Sequence, residues 1–220
     1  MSDVEKGTVQ ATTPSQAFGR GPLGKVGIAN PGPLGLFSFA STTLILSLYN
    51  VNARNITTPN VVVGMALFCG GLAQFLAGMW EFPKGNTFGA TAFTSYGAFW
   101  LSYATILIPG SGIGAAYGTE TEELDNAIGI YLMTWMTVTF LLFIVSLRKS
   151  ASFIGLFGFL TLTFMCLGAG EFTGNANLGK AGGALGIITA LIAYYIGLSE
   201  MLAAERAAVV QLPLFAFKHD

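Results

Sequence analysis

Six long apolar stretches, almost free of charged residues, alternate with short polar connections along this chain of 220 residues. They cover residues 33–53, 60–80, 87–109, 126–147, 151–170 and 181–199. Each is long enough for an α-helix to cross a hydrocarbon core of roughly 30 Å. Six such stretches in succession, with no polar domain to cover them, predict an all-α membrane protein with six transmembrane helices.

The polar ends and the apolar middle predict one compact helical domain with two tails. Residues 29–204 form the predicted transmembrane domain, because the connections within this range are short. Residues 1–28 are rich in Ser, Thr, Gly and charge, which predicts a disordered N-terminal tail. Residues 205–220 are the predicted C-terminal tail.

Basic residues are distributed unevenly about the predicted spans, and this unevenness predicts the orientation. If the spans alternate, only Arg54 and Lys180 lie on the side opposite the termini, together with an acidic loop that follows the third span. Lys and Arg are retained on the cytoplasmic side. Both termini are therefore expected in the cytoplasm, and the multi-pass protein is expected in the plasma membrane. The first 25 residues lack the apolar core of a secretory signal, so the first span is expected to direct insertion.

Composition excludes several function classes. The chain is 53% hydrophobic and 10% charged, with a net charge of -1, which gives no basis for nucleic-acid binding. Its single histidine, His219, lies in the C-terminal tail, and Cys69 and Cys166 lie within apolar stretches. The spans hold no paired carboxylates, no Ser/His/Asp set and no phosphate-binding glycine loop. We therefore expect no enzyme, no metal and no cofactor.

The string Asn30-Pro31-Gly32-Pro33-Leu34-Gly35-Leu36 stands directly before the first span. Pro31 and Pro33 lack amide protons and disfavour helix in the residues before them, which predicts an abrupt helix start near Pro33. The first amides of such a helix lack intrahelical acceptors and favour a small anion. Asn30 either caps this helix or contacts a ligand.

Uncharged hydrogen-bonding side chains recur within the spans. Thr87, Thr91, Thr94 and Ser95 share one helix face by their spacing, with Tyr96 at its border, and such a stripe suits a water-lined path. A membrane threonine more often bonds its own helix backbone, which is the alternative. The other uncharged candidates for the pathway are Thr43, Gln74, Asn86 and Thr161.

Glu81 lies at the end of the second span, three residues before Lys84. The two form either a membrane-surface ion pair or a site that handles protons or substrate. Small residues at four-residue spacing, such as Gly182-x-x-x-Gly186, let helices approach closely, within one protomer or between protomers.

Several of these motifs resemble the acetate uptake transporters, which include bacterial succinate-acetate permeases and fungal acetate and ammonia-export proteins. The resemblance runs from Asn30 to Phe39, from Gly70 to Glu81, through GNTFGATAFTSYGAFW at Gly85–Trp100, and from Gly170 to Asn175. It covers about residues 29–204, and the motif sequences are most similar to those of the fungal branch. Gly32 departs from the family pattern, which usually has Ala or Val at this position.

The resemblance implies a six-helix protomer with its own pore, assembled as a homo-hexamer in the lipid bilayer. It implies transport of acetate and other small monocarboxylates, with succinate in some members. By alignment with the family's motifs, the pore is narrowed at Phe39, Tyr96 and Leu160, and Ala193 is a small pore-lining residue that affects which acids pass.

A hydrophobic neck without a fixed cation disfavours an unpaired acetate ion, because desolvating an anion costs a great deal of free energy. The substrate then crosses with a proton or moves as an anion between amide and hydroxyl donors. We favour proton coupling, with Glu81 as the assisting carboxylate. The alternatives are a channel for small neutral solutes such as urea or ammonia, and a membrane sensor or scaffold without transport.

Overall fold

The structure is a computed structural model that describes residues 27–217. Almost the whole predicted N-terminal tail, and His219, lie outside this range. The described residues are nearly all helical, which confirms the all-α prediction. The helices are α1 (Gly32–Asn50), α2 (Val62–Lys84), α3 (Thr87–Leu107), a short α4 (Ile113–Ala116), α5 (Thr121–Ser146), α6 (Ala151–Thr173) and α7 (Ala176–Ala204), with short 3-10 turns at Ala53–Asn55 and Pro109–Ser111.

Six of these helices are long, and five of them are both long and apolar enough to cross a membrane. The sixth, α3, is 21 residues long but carries many Gly, Thr and Ser residues. Its buried residues, which include Ala92, Tyr96, Phe99 and Trp100, place it at the centre of the bundle. A helix covered by its neighbours needs less apolar surface than one that faces lipid. That α3 also crosses the membrane, as the sixth span, therefore remains a prediction.

The proline-rich string starts α1 abruptly, as its sequence predicts. The helix begins at Gly32, one residue before Pro33. The Asn30 side-chain oxygen accepts a hydrogen bond from the Gly32 amide at 2.9 Å. Asn30 therefore pairs the first amide of the helix from the position before the N-cap residue, which is Pro31.

An unexpected feature of α2 is a π-helical segment at Met65–Ala73, directly before Gln74. Such segments are rare and are frequent at functional sites. Here α1, α2 and α3 approach closely at Gly70, because a Cβ atom at this position would lie 2.7 Å from both the Thr42 hydroxyl and the Trp100 ring. Only glycine fits this approach.

Helix α1 packs against α7, α7 against α6, and α6 against α5, while α2 packs against α3. The small-residue pattern of α7 lies in this packing. A Cβ atom at Gly182 would lie 2.7 Å from Leu167 of α6, and one at Gly186 would collide with Ser47 of α1. Gly182 and Gly186 therefore allow close helix contacts within one protomer, which is one of the two possibilities that the spacing leaves open.

The C-terminal segment after α7 lies across the ends of two helices. The Ser199 hydroxyl donates to the Leu212 carbonyl at 2.6 Å, and the Tyr195 hydroxyl donates to the Pro213 carbonyl at 2.7 Å. Ser150, before α6, forms an antiparallel bridge with Ala216. The described part of the predicted C-terminal tail is thus attached to α6 and α7.

Candidate functional site

Two cavities lie inside the bundle, and they share two lining residues, Phe39 and Tyr96. The first, of about 130 Å³, is bordered by the start of α1, the end of α2 and the starts of α3 and α6. The second, of about 80 Å³, is bordered by the other ends of α1, α3 and α6 and by α5. We call them the Glu81 cavity and the Thr43 cavity.

Phe39 and Tyr96 form an aromatic neck between the cavities. Their ring centroids are 5.5 Å apart, and both side chains are buried. The Tyr96 hydroxyl donates to the Thr139 hydroxyl at 2.9 Å, which holds the ring in position. The Tyr96 ring also lies 6.4 Å from the Phe157 ring. The neck is therefore uncharged and is held by residues of four helices, α1, α3, α5 and α6.

The residues that the resemblance places at the neck do not all lie there. Leu160, one turn of α6 beyond Phe157, is buried and lines the Thr43 cavity. Ala193 of α7 is fully buried in the hydrophobic core and is not among the residues that line either cavity.

A hydrogen-bonded network joins the ends of four helices at the mouth of the Glu81 cavity. Lys84 donates to the Glu81 carboxylate at 3.4 Å and to the Asn30 side-chain oxygen at 2.6 Å. The Asn86 amide donates to the other Glu81 oxygen at 2.8 Å, and the Asn30 amide donates to Glu200 at 3.1 Å. Glu81 is only 1% exposed, so water solvates little of its carboxylate. The hydrogen bonds from Lys84 and Asn86 stabilise the buried carboxylate instead.

The Asn86 side chain has a second role at the start of α3. Its oxygen accepts a hydrogen bond from the Gly89 amide at 3.1 Å, while its nitrogen donates to Glu81. One side chain therefore caps α3 and fixes the buried carboxylate of α2.

A second cation at this mouth comes from the connection between α5 and α6. Lys149 lines the Glu81 cavity, and its ammonium lies 4.5 Å above the Phe88 ring centre. Sequence reasoning missed Lys149, because nothing in the sequence relates it to α3. Glu200 is brought to the same cavity by α7.

Three polar side chains on the cavity walls are buried and have no hydrogen-bond partner among the described residues. Both amide atoms of Gln74, which lines the Glu81 cavity, are in this state. The Thr43 hydroxyl and the Trp100 ring nitrogen, on the wall of the Thr43 cavity, also have no hydrogen-bond partner among the described residues. Buried polar groups in proteins are nearly always paired, so these atoms indicate where a polar molecule in either cavity would bind.

The threonine stripe of α3 does not line either cavity. Thr87 and Thr91 are exposed on the outside of the bundle. Thr94 is half-buried and faces α2, where a Cβ atom at Gly78 would collide with its hydroxyl. Thr161 donates to the carbonyl of Phe157 in its own helix at 2.7 Å.

The predicted site residues thus fall into three groups. Five line the Glu81 cavity, and four line the Thr43 cavity, with the two neck residues in both. The Glu81 cavity has Phe39, Gln74, Glu81, Asn86 and Tyr96, and the Thr43 cavity has Phe39, Thr43, Tyr96 and Leu160. The lining residues of the two cavities do not include Asn30, Pro31, Pro33, Thr87, Thr91, Thr94, Thr161 or Ala193.

Residues 15–219 match the model of the GPR1/FUN34/yaaH family. The chain belongs to this family. The resemblance inferred from the sequence motifs is therefore confirmed. Together with its long apolar helices, the family's permeases and symporters identify the chain as a multi-pass membrane protein.

Relatives within the GPR1/FUN34/yaaH family come from fungi and bacteria. Ammonia transport outward protein 2 of Saccharomyces cerevisiae is 44% identical over 87% of this chain and 68% of its own length. Acetate permease A of Emericella nidulans is 44% identical over 78% of this chain and 61% of its own length. Another relative, Accumulation of dyads protein 2 of Saccharomyces cerevisiae, is matched over 65% of its length, so the chain spans about two thirds of these fungal proteins.

The bacterial relatives are shorter. The succinate-acetate/proton symporter SatP of Escherichia coli is 38% identical over 82% of this chain and 92% of its own length. A solved structure of the bacterial acetate channel SatP superposes with a TM-score of 0.74 at 37% identity, covering 85% of this chain and 99% of that chain. The six long helices are thus arranged as in a known acetate channel.

Proposed function

We propose that the chain is a membrane transporter or channel for acetate and other small monocarboxylates, which cross with a proton. The observation that carries this proposal is the pair of cavities that meet at the uncharged neck of Phe39 and Tyr96. The printed names of the relatives, an acetate permease, a succinate-acetate/proton symporter and an acetate channel, support the substrate class.

The neck favours the neutral acid over the anion. Moving an unpaired carboxylate into apolar surroundings costs far more free energy than moving a neutral carboxyl group. A free carboxyl group ionises at a pH of roughly 4 to 5, so most acetate is anionic at neutral pH. The anion therefore takes up a proton before the neck, and Glu81 is the carboxylate placed to assist, by accepting a proton from water and passing it to the substrate. Its place in the lining of the Glu81 cavity supports this role, and Lys84 and Asn86 hold its side chain in position.

The proposed orientation rests on the predicted cytoplasmic location of both termini. The Glu81 cavity lies at the end of the bundle where α1 begins and α7 ends. With both termini in the cytoplasm of a plasma-membrane protein, this cavity opens to the cytoplasm and the Thr43 cavity opens outward. Single cysteines at Asn30 and at Thr57, tested with an impermeant thiol reagent on whole cells, distinguish the two orientations.

The protomers assemble as hexamers, each with its own pathway. Long apolar side chains that are exposed on α2, including Phe68, Leu72 and Trp80, provide surface for neighbouring protomers or lipid. Native mass spectrometry of the detergent-purified protein measures the number of protomers directly.

The decisive experiment measures labelled acetate uptake into liposomes that contain the purified protein. Acetic acid crosses lipid by itself, so each rate is compared with that of protein-free vesicles of the same lipid. An alkaline interior should drive protein-dependent accumulation of acetate. Uptake that is indifferent to the pH gradient but responds to membrane potential would instead support movement of the anion between hydrogen-bond donors.

A second candidate is a channel for small neutral solutes such as urea or ammonia. The uncharged neck is compatible with it, and a relative that is 44% identical is named for outward ammonia transport. Competition of urea and ammonium with labelled acetate in the same vesicles separates the two candidates. Absence of flux for all three solutes would favour a sensor or scaffold.

A further inference from the structure

Gln74 is the most unusual polar side chain in the Glu81 cavity. It is fully buried, lines the cavity, and has no partner among the described residues for either its amide nitrogen or its amide oxygen. It is the first residue of the α-helical half of α2, directly after the π-helical segment. The backbone that positions it is therefore irregular on one side and regular on the other.

A buried amide with two unpaired atoms is costly, because each atom has lost its hydrogen bonds to water without replacement. A glutamine with this environment is explained if a molecule in the cavity pairs with both atoms. The amide presents one acceptor and two donor hydrogens on adjacent atoms. Exchanging the assigned positions of its nitrogen and oxygen leaves this combination unchanged.

A protonated carboxyl group has the complementary pattern. Its hydroxyl donates and its carbonyl oxygen accepts, so it forms two parallel hydrogen bonds with a primary amide. An ionised carboxylate has only acceptors, and it would oppose the Gln74 oxygen with a negative charge. The amide therefore distinguishes the two protonation states of one acid.

The position of Gln74 relative to Glu81 gives this distinction a place along the pathway. Seven residues separate them within one α-helix, which is two turns, so both side chains lie on the same face and both line the cavity. Gln74 is roughly 10 Å farther along the helix from the mouth. A substrate that enters past Glu81 reaches Gln74 before it reaches the far cavity.

We infer that Gln74 selects the protonated acid by pairing with its hydroxyl and carbonyl groups together. This inference rests on the proposed function, since it concerns the acid that the Glu81 cavity receives. No bond is broken at Gln74: the proton stays on the substrate, and the amide only tests for its presence.

Two neutral compounds of the shape of acetic acid test the pairing without titrating. Acetamide offers a donor and an acceptor, whereas acetone offers an acceptor alone. In liposomes that contain the full chain, acetamide should inhibit labelled acetate uptake about tenfold more strongly than acetone, which is the order expected for one missing hydrogen bond and one unpaired amide oxygen. Equal inhibition of the wild-type protein by the two compounds would overturn the inference.

Substitutions assign the difference to this side chain. Gln74→Met keeps the length and removes both hydrogen-bonding atoms, so acetamide and acetone should then inhibit equally. Gln74→Asn keeps the amide on a shorter side chain and should restore part of the difference. Gln211→Met makes the same exchange at an exposed position and should leave the difference unchanged. A difference that survives in Gln74→Met would place its origin at another residue.

A binding measurement separates this inference from the proposed function. The shift of the melting temperature by acetamide and by acetone, measured on the detergent-purified chain, requires no transport. Proton-driven acetate uptake with equal shifts for the two compounds would refute the role of Gln74 and leave the proposed function standing. A larger shift with acetamide, lost in Gln74→Met, in a protein that carries no acetate would refute the proposed function alone.

Discussion

The two cavities on either side of the neck differ in charge more than in size. Glu81, Lys149 and Glu200 line the larger one, and hydrogen bonds join two of these three to neighbouring side chains at its mouth. In the Thr43 cavity the charged lining residue is Glu171, beside aromatic and aliphatic side chains. Under the proposed function, the carboxylate that assists proton transfer, Glu81, lies on one side of the neck only.

The unpaired polar groups differ in the same way. Gln74 offers a donor and an acceptor, whereas the Trp100 ring nitrogen is only a donor and the Thr43 hydroxyl can donate. A carboxyl oxygen in either protonation state can accept from Thr43 and Trp100. Under the proposed function, the Thr43 cavity would accept either form of the acid, whereas Gln74 would favour the protonated form in the Glu81 cavity.

The largest expected effect comes from removing a ring of the neck that separates the two cavities. Tyr96→Ala would join the two cavities and discard the ring that faces Phe39. Because a pocket rejects each additional methylene by about tenfold or more, uptake of butyrate relative to acetate should rise by at least tenfold. Competition between the two labelled acids in liposomes measures the ratio.

Tyr96→Phe is the matched control for that experiment. It keeps the ring and loses the hydrogen bond to Thr139, so it should lower stability by about 1 kcal/mol and leave the selectivity near that of the wild type. Equal selectivity in Tyr96→Ala and Tyr96→Phe would show that this ring is not the barrier between the cavities.

The second prediction breaks the charged network of the Glu81 cavity. Asn86→Ala removes the cap of α3 and the bond to the buried Glu81 carboxylate. The lost cap costs about 1 kcal/mol, and the lost bond to a charged group about 1.5 to 3 kcal/mol, so a total near 3 kcal/mol is expected. Unfolding in detergent, followed by circular dichroism, measures the change.

A second asparagine supplies the comparison. Asn175 caps α7 by accepting from the Asn177 amide, and no other hydrogen bond of its side chain is found in the described part of the chain. Asn175→Ala should therefore cost only about 1 kcal/mol. Comparable losses in the two variants would mean that the bond between Asn86 and Glu81 contributes little to stability.

The sequence predicts the fold because its strongest signals are local. Apolar stretches of sufficient length identify the six long helices, and the prolines beside Gly32 place the start of α1 to within about one residue. The starts of α5 and α7 extend farther than predicted, to Thr121 and Ala176, because their polar first turns lie outside the apolar windows.

The site is only partly predictable, because it depends on contacts between distant segments. Periodicity groups Thr87, Thr91 and Thr94 on one face but does not say which way that face points, and two of them are exposed. Lys149 and Glu200 reach the Glu81 cavity only through helix packing. The π-helical segment before Gln74 likewise has no signal in the hydrophobic pattern.

The third prediction tests the Thr43 cavity. Thr43→Val keeps the shape and removes a hydroxyl that has no partner among the described residues, so stability should stay within about 0.5 kcal/mol. Acetate uptake should fall about threefold, because the substrate loses one neutral donor. Initial uptake rates, corrected for the amount of inserted protein, provide the measurement.

Thr189→Val is the control for this exchange. Thr189 is also buried, but its hydroxyl donates to the Leu185 carbonyl of its own helix, and it does not line either cavity. Uptake should therefore be unchanged in this variant. A loss of uptake in Thr189→Val as large as that in Thr43→Val would point to a general effect of removing buried hydroxyls.

The smallest expected effect concerns Gly32, the residue that departs from the pattern implied by the sequence resemblance. A Cβ atom there would collide with the Glu200 carboxylate and lie 2.9 Å from the Asn30 side-chain oxygen. Gly32→Ala should displace the flexible Glu200 side chain and break its bond to Asn30, which is 3.1 Å long. Glycine at position 32 thus permits the hydrogen bond between Asn30 and Glu200 at the mouth, which a larger residue would break.

The gain in helix propensity from alanine offsets part of this loss, so stability should change by less than about 1 kcal/mol and uptake by about twofold. Glu200→Gln removes the charge of the same contact. If Gly32 acts through Glu200, the double variant should lose no more uptake than the larger of the two single effects. Additive losses would mean that Gly32 affects the start of α1 independently of Glu200, and the network of the Glu81 cavity would then end at Asn30.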